Sequence, residues 1–385
     1  MKFFRTTVAA FALFVSLTVF ASLASAQKYL FYVGTYTDGT KSKGIYAFRY
    51  DAGTKQTTPL GVAAESVNPS FLAISPDGRF LYAVNEVGNY KGPNSGGVSS
   101  FSVDKTTGKL TFLNEVPSRG ADPCYITVDK TGKWVLVANY TGGSVAVFPV
   151  QEDGKLGEAS DFVQHTGHGA NKERQEGPHA HSIDLSPDNR FAFVDDLGLD
   201  ALLTYKFDAK TGKLTAVSSA VTHFNPGAGP RHFALHPSGK YAYVIAEMEH
   251  TVTALAANLQ DGTFKPLQSL STIPPDYKDR NDDAEVEVDP SGKFLYASNR
   301  GHDSIIAFAI DPNKGTLSPL GLIVGTIKEP RSFEIDPTGT LLFAENQKSD
   351  NIVVFQIDPK TGALNPNGQQ YSVPSPVCLK FVPVP

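Results

Sequence analysis

One phrase recurs six times along the chain and limits what it can fold into. An apolar run opens, most often after a proline, and stops at Pro-Asp/Ser/Thr-Gly-Lys/Arg or a near variant. An aromatic-rich apolar run follows and closes, in most copies, on Asn or Asp. The copies span Pro69–Asn85, Pro123–Asn139, Pro178–Asp196, Pro230–Ala246, Ala284–Asn299 and Pro330–Asn346. Their turn residues are Gly78, Gly132, Asn189, Gly239, Gly292 and Gly339. Proline fixes φ early in a tight turn, and Gly or Asn tolerates the positive φ needed later in it. The flanking runs, rich in Val, Ile, Phe and Tyr, read as strands. Each copy is therefore a hairpin.

A second phrase interleaves with the first. Asp104-Lys105-Thr106-Thr107-Gly108-Lys109-Leu110 returns at Asp208–Leu214, Asp311–Leu317 and Asp358–Leu364, with looser versions at Asp51–Lys55, Asp153–Leu156 and Asp261–Phe264. Two alternating hairpins per repeat make a four-stranded unit. Seven second hairpins stand against six first ones, and the termini supply the missing piece. Ser375–Val382 reads as an inner strand without its turn, and Tyr29–Gly34 reads as the strand that should follow it. The fold predicted is all-β: a seven-bladed propeller of four-stranded blades, its ring closed by N- and C-terminal strands in one blade. The length of 385 residues suggests several domains, but repeat folds grow by adding units, so residues 27–385 are expected to form one.

Residues 1–26 read as a secretory signal: Lys2 and Arg5 precede an apolar stretch from Val8 to Leu23, and Ala24-Ser25-Ala26 offers the small-x-small cleavage pattern. The mature protein is then expected to be periplasmic or secreted, with no membrane attachment after cleavage behind Ala26. The formal net charge of −5, which becomes more negative once Lys2 and Arg5 are removed, leaves no basic footprint for nucleic acid. The only two cysteines, Cys124 and Cys378, fall two blades apart, too far for a disulfide's Cα separation of about 4.4–6.8 Å. They are expected to be buried free thiols.

In a propeller the inner strands line a central channel, and loops at one end make the natural pocket. The residue after each repeat-opening position is expected to face that channel: Ser70, Cys124, His179, Arg231, Glu285 and Arg331. The residues that follow the second strands, Glu86, Tyr140, Leu197, Glu247, Arg300 and Gln347, are expected at the mouth. A polar set, including His179, His181, Arg231, His232, Glu247, Arg300, His302 and Arg331, thus gathers at one end.

These segments carry a resemblance. Gly177-Pro178-His179-Ala180-His181-Ser182, Gly229-Pro230-Arg231-His232, Ser298–Ile305 and Glu329–Phe333 are similar to the seven-bladed lactonase family, which includes bacterial 6-phosphogluconolactonase and fungal carboxymuconate cyclase. Tyr32–Thr37 matches its opening strand. The resemblance covers nearly all of the mature chain and implies a carboxylic ester hydrolase that opens a small-molecule lactone, with a His, two Arg and a Glu acting together. By motif these are His179 or His181, Arg231, Arg300 and Glu247. Glu285-Val286-Glu287 departs from the pattern, standing where many members carry a His.

Lactone opening needs an activated water, a stabilised oxyanion and a proton for the leaving alkoxide. Glu247 is the expected base and His179 or His181 the expected proton donor. Arg231 and Arg300, with Arg331, suit the oxyanion and any anionic group of the substrate. Arg331, His302, His232 and Glu285 are the expected substrate-binding residues. This chemistry requires no metal or other cofactor, and a monomer is expected. Two rival readings share the same residues: a cycloisomerase of the muconate type, and a non-enzymatic envelope propeller binding a ligand or partner.

Overall fold

The structure, a computed structural model, describes residues 27–384. The expected signal segment lies outside the described residues. Among those residues no helix is long and apolar enough to cross a membrane.

Seven antiparallel sheets form the seven blades. The first blade joins the termini: Pro376–Val384 pairs with Lys28–Thr35, followed by Gly44–Asp51 and Gln56–Glu65. The next three begin at Leu72–Ile74, Pro123–Val128 and Asp184–Leu185, and the last three at Pro230–Leu235, Asp282–Val288 and Pro330–Ile335. The fourth blade carries one addition, a short strand Thr222–His223 beside Ala201–Asp208. The ring therefore closes as the repeat count required, with N- and C-terminal strands in register from Lys28↔Val384 to Gly34↔Cys378 and a one-residue shift before Thr35↔Pro376.

The turn chemistry is as the composition implies. In each first hairpin the turn residue donates its N–H three residues back, as from Gly78 to Ser75 (2.8 Å) and from Asn189 to Ser186 (2.9 Å). The glycines of the second hairpin do more than turn. Gly212, Gly315 and Gly362 adopt φ of +66°, +70° and +71°, and a Cβ on them would stand 2.2–2.4 Å from Trp134, Tyr241 and Phe294 of the preceding blade. A Cβ there meets both a strained dihedral and an aromatic ring, so glycine is what lets neighbouring blades close on each other. Tyr243 and Tyr296 hydroxyls and the Trp134 indole N–H complete the clasp, donating to Gly315, Gly362 and Ala209 carbonyls at 2.9–3.0 Å. The core is accordingly a set of clusters, several of them drawing residues from two or more blades. Cys124 and Cys378 are buried free thiols in the third and first blades.

Inner strands begin with a β-bulge in the first, third, fifth and seventh blades. Pairing skips from Pro376 to Cys378, from Pro123 to Tyr125, from Pro230 to His232 and from Pro330 to Ser332. The extra residue in each, Val377, Cys124, Arg231 or Arg331, lines a cavity on the axis, the usual effect of a bulge on side-chain aim. Register corrects the sequence reading in two blades. In the sixth, Asp283 pairs Asn299 and Val286 pairs Ala297, so Ala284 is the counterpart of Arg231 and Glu285 that of His232. In the fourth, Ala180 bridges Asp196, which puts His181 at the bulge position in place of His179. Gly177-Pro178 mimics the repeat-opening proline two residues early.

Candidate active site

A cavity of about 240 Å³ opens at one end of the axis. Two rings of equivalent positions build it. The bulge ring contributes Cys124, His181 and Arg331, and the ring that follows the second strands contributes Tyr36, Glu86, Tyr140, Glu247 and Arg300. Arg174 and Arg280 come from loops at the rim, and Asp282 is the first residue of the sixth blade's inner strand.

Glu247 is the electrostatic centre. Its Oε2 accepts from Arg231 Nε at 3.0 Å and Arg300 Nη2 at 2.9 Å, and its Oε1 accepts from Arg174 Nη2. Burial alone would raise its pKa, but Arg300, Arg231 and Arg174 together push it down to about 2. The sequence left those opposed effects open, and the three guanidiniums win. Glu247 is thus ionised, with both oxygens engaged, and is a weak proton acceptor.

Arg231 is buried, donates from Nη1 to the Ala284 carbonyl at 2.5 Å and lies 3.2 Å from His232 Nε2. Burial and the like charges of Arg300 and Arg331 lower its pKa to about 10, so it is still a cation at neutral pH. Arg331 differs. Among the described residues it makes no hydrogen bond and no ion pair, and its guanidinium carbon stands 5.2 Å from the Tyr36 ring centroid. The carboxylates of Glu86 and Glu247 act on it from a distance without pairing, so its donors are free for ligand negative charge.

His181 is buried, with Nδ1 3.8 Å from Cys124 Sγ. Burial, then the charges of Arg231, His232, Arg331 and Arg300, hold its pKa well below the ordinary histidine value. It is neutral at physiological pH, so it lacks the imidazolium proton expected of an acid. His179 stands outside the cavity lining: its ring stacks on Tyr140 (4.6 Å between centroids), and Nδ1 lies 3.0 Å from the Tyr140 carbonyl. His302 is also outside, with Nδ1 2.7 Å from Ser304 Oγ and its ring edge-on to Tyr277.

His232 and Glu285 sit one ring deeper, below the bulge residues. His232 Nδ1 lies 2.8 Å from Glu285 Oε1, and Glu285 Oε2 accepts from Ser332 at 3.0 Å. Burial lowers the His232 pKa to about 4 despite the adjacent carboxylate. Both therefore back the site through Arg231 and do not line the cavity as substrate-binding residues.

Asp184 belongs to the far half of the channel. Tyr125 donates to it at 2.9 Å, yet burial raises its pKa to about 7, with the Glu285 charge adding to the rise. A carboxyl whose folded pKa is raised contributes stability below its unfolded value, and that stability is lost as pH climbs through about 7. Asp184→Asn is expected to gain on the wild type by about 2–3 kcal/mol between pH 5 and 8.5, read by urea unfolding at each pH. A constant difference across that range contradicts the assignment.

Sequence reasoning named Glu247, Arg231, Arg300, His181 and Arg331 for this end of the channel and missed Arg174, Arg280 and Asp282. Arg174 lies in the long irregular connection before Asp184. That segment is pinned by His165, whose Nδ1 is 2.6 Å from Asp196 Oδ2, and by Gln175, which donates to the Leu197 carbonyl and Asp200. No periodicity marks such a residue. Glu86 and Tyr140 were legible as members of the mouth ring, though not as site residues.

The model of the family described as Lactonase, 7-bladed beta-propeller matches residues 30–381. The chain belongs to the seven-bladed lactonase family. Among curated family members, a 6-phosphogluconolactonase of Bacillus subtilis is 42% identical over 355 residues, which is 92% of this chain and 99% of that protein. A 6-phosphogluconolactonase of Formosa agariphila is 36% identical, covering 78% of this chain and 85% of that one. Among solved structures, a putative 6-phosphogluconolactonase of Bacteroides fragilis superimposes with a TM-score of 0.86 at 38% identity, covering 93% of this chain and 99% of that one. The periplasmic gluconolactonase of Pseudomonas aeruginosa gives 0.85 at 33% identity, with coverage of 93% and 100%.

Proposed function

We propose that this protein is a carboxylic ester hydrolase that opens a six-carbon sugar lactone in the axial cavity. The observation that carries the reading is Arg331, a guanidinium that lines the cavity with no hydrogen bond or ion pair to protein among the described residues. In the reaction it polarises the lactone carbonyl and receives the charge that develops on its oxygen, with Arg300 beside it. Glu247 acts as the fixed counter-ion that keeps Arg174, Arg231 and Arg300 converged. Neutral His181 takes a hydrogen bond with the substrate in place of an acid's role. Relatives named as 6-phosphogluconolactonase and gluconolactonase support a sugar lactone with or without a phosphate. We place the mature protein, from residue 27, in the periplasm or outside the cell, acting as a monomer.

The test is hydrolysis of glucono-δ-lactone and of 6-phosphoglucono-δ-lactone by protein beginning at residue 27, followed by base uptake at constant pH. Turnover of at least one of them, with kcat/KM of about 10⁴ M⁻¹s⁻¹ or more, is expected. Failure to exceed spontaneous opening with both removes the reading.

A further inference from the structure

We infer that Glu86 is the general base that activates the hydrolytic water. This rests on the lactonase reading above and names the one partner it leaves unassigned.

Glu86 and Glu247 are the two carboxylates in the mouth ring of the cavity, at equivalent positions of the second and fifth blades. The same backbone position gives them opposite surroundings. Three guanidiniums consume both oxygens of Glu247. Glu86 makes no ion pair among the described residues. Its Oε2 accepts from Tyr36 Oη at 2.7 Å and Ser70 Oγ at 2.5 Å, while its Oε1 has no hydrogen-bond partner there. One oxygen is thus anchored by two neutral hydroxyls and the other is open toward the cavity it lines.

A useful base must be held in place and must still be able to take a proton. Glu247 satisfies the first condition alone, and Glu86 satisfies both. The Tyr36 that holds Glu86 also lies against the Arg331 guanidinium, so base and electrophile are fixed by one side chain. Of the remaining acceptors in the lining, Asp282 has both oxygens engaged by Arg174 and Arg280, and neutral His181 sits among the arginines that disfavour its protonation.

The step balances without a further reactant. Glu86 Oε1 takes a proton from water as the water oxygen bonds to the lactone carbonyl carbon. The carbonyl π pair moves to its oxygen, against Arg331. When the tetrahedral intermediate collapses, that pair re-forms C=O and the ring C–O bond breaks. The leaving alkoxide then takes the proton from Glu86, which restores the carboxylate and gives the hydroxy acid.

Glu86→Gln keeps the shape and the acceptor for Tyr36 and Ser70 while removing basicity. It is expected to lower kcat by about 10²–10⁴-fold with KM changed less than threefold, and to abolish the acid limb of the kcat–pH profile. Glu86→Asp, which keeps a carboxylate, is expected to retain that limb at a reduced kcat. Circular dichroism and thermal melting establish that each variant is folded. A folded Glu86→Gln protein with kcat within threefold of wild type and the acid limb intact overturns the assignment and passes the role to His181. If Glu86→Gln does not fold, Glu86→Asp decides: an unchanged kcat overturns the inference and a lowered kcat with the limb retained supports it. A wild-type protein that hydrolyses neither lactone fails earlier, at the lactonase reading itself.

Discussion

Arg331→Ala is expected to lower kcat/KM for the lactone by about 10³-fold while leaving the melting temperature nearly unchanged. The two halves of that result have one cause. Arg331 has no ion pair or hydrogen bond to lose among the described residues, so removing it breaks little beyond its contact with the Tyr36 ring. A cation over an aromatic face contributes about 0.5–1 kcal/mol at an exposed site and about 2 kcal/mol when desolvated; Arg331 is partly buried, so the stability at risk lies between the two. The transition state loses far more. Removing one well-placed oxyanion donor costs about 10²–10³-fold in kcat, and a ligand anion held by the same group adds a binding loss. Arg331→Lys keeps the charge without the planar fork and is expected to recover only part of the rate. Steady-state kinetics and melting curves for both variants check this. A large fall in melting temperature with unchanged kcat/KM would mean that Arg331 holds blades together and does not serve the reaction.

Glu247→Ala is expected to do both kinds of damage at once. In the folded protein Arg174, Arg231 and Arg300 converge on one carboxylate, and two of them, Arg231 and Arg300, have side chains no more than 10% exposed. Deleting the anion leaves like charges facing each other where water cannot screen them. Breaking a buried ion pair from one side costs about 3–5 kcal/mol, and chemical denaturation should show a loss of that order. Activity should fall with it, because Arg300 is no longer held in the cavity wall that it shares with Arg331. The pH dependence provides an independent check. The Glu247 pKa is depressed from 4.5 to about 2 on folding, so its contribution is present above 4.5 and disappears as pH falls toward 2. Wild type should lose stability more steeply than Glu247→Ala across that acid window. Parallel curves would show that the carboxylate contributes nothing to folding.

The contrast between these variants follows from how the site is assembled. Arg331 and Arg231 are equivalent residues, each the extra residue of a bulge at the start of an inner strand. One is paired directly with a carboxylate, and the other makes no ion pair or hydrogen bond among the described residues. Glu86 and Glu247 show the same division among the carboxylates. A repeat scaffold offers the same position in each blade, and a difference of neighbours is enough to separate a paired charge from an unpaired one.

How much of this was legible beforehand varies with the range of the interactions involved. Pro76-Asp77-Gly78 makes its turn through local dihedral preferences, and its copies do the same, so the strand count, the blade count and the closure through Lys28–Thr35 and Pro376–Val384 were all readable. The mouth ring followed, because second strands of equal register end at equal depth. That placed Glu247 and Arg300 correctly, and it put Glu86 and Tyr140 at the same level. The inner ring was readable only where a genuine repeat-opening residue marks the bulge. Pro178 imitated that signal and moved the expected histidine from His181 to His179, and Ala284 did the same for Glu285.

The sequence by itself determined the ring and the level at which each repeated residue lies along its axis. The tertiary structure decided which of those residues carry net charge into the cavity. Turns and strand alternation are set within a few residues, so a linear pattern records them. A bulge is fixed by pairing with the next strand, and the charge of Glu247, Arg331 or His181 is fixed by side chains that arrive from other blades and from a loop with no periodicity. Those contacts exist only once the ring has closed.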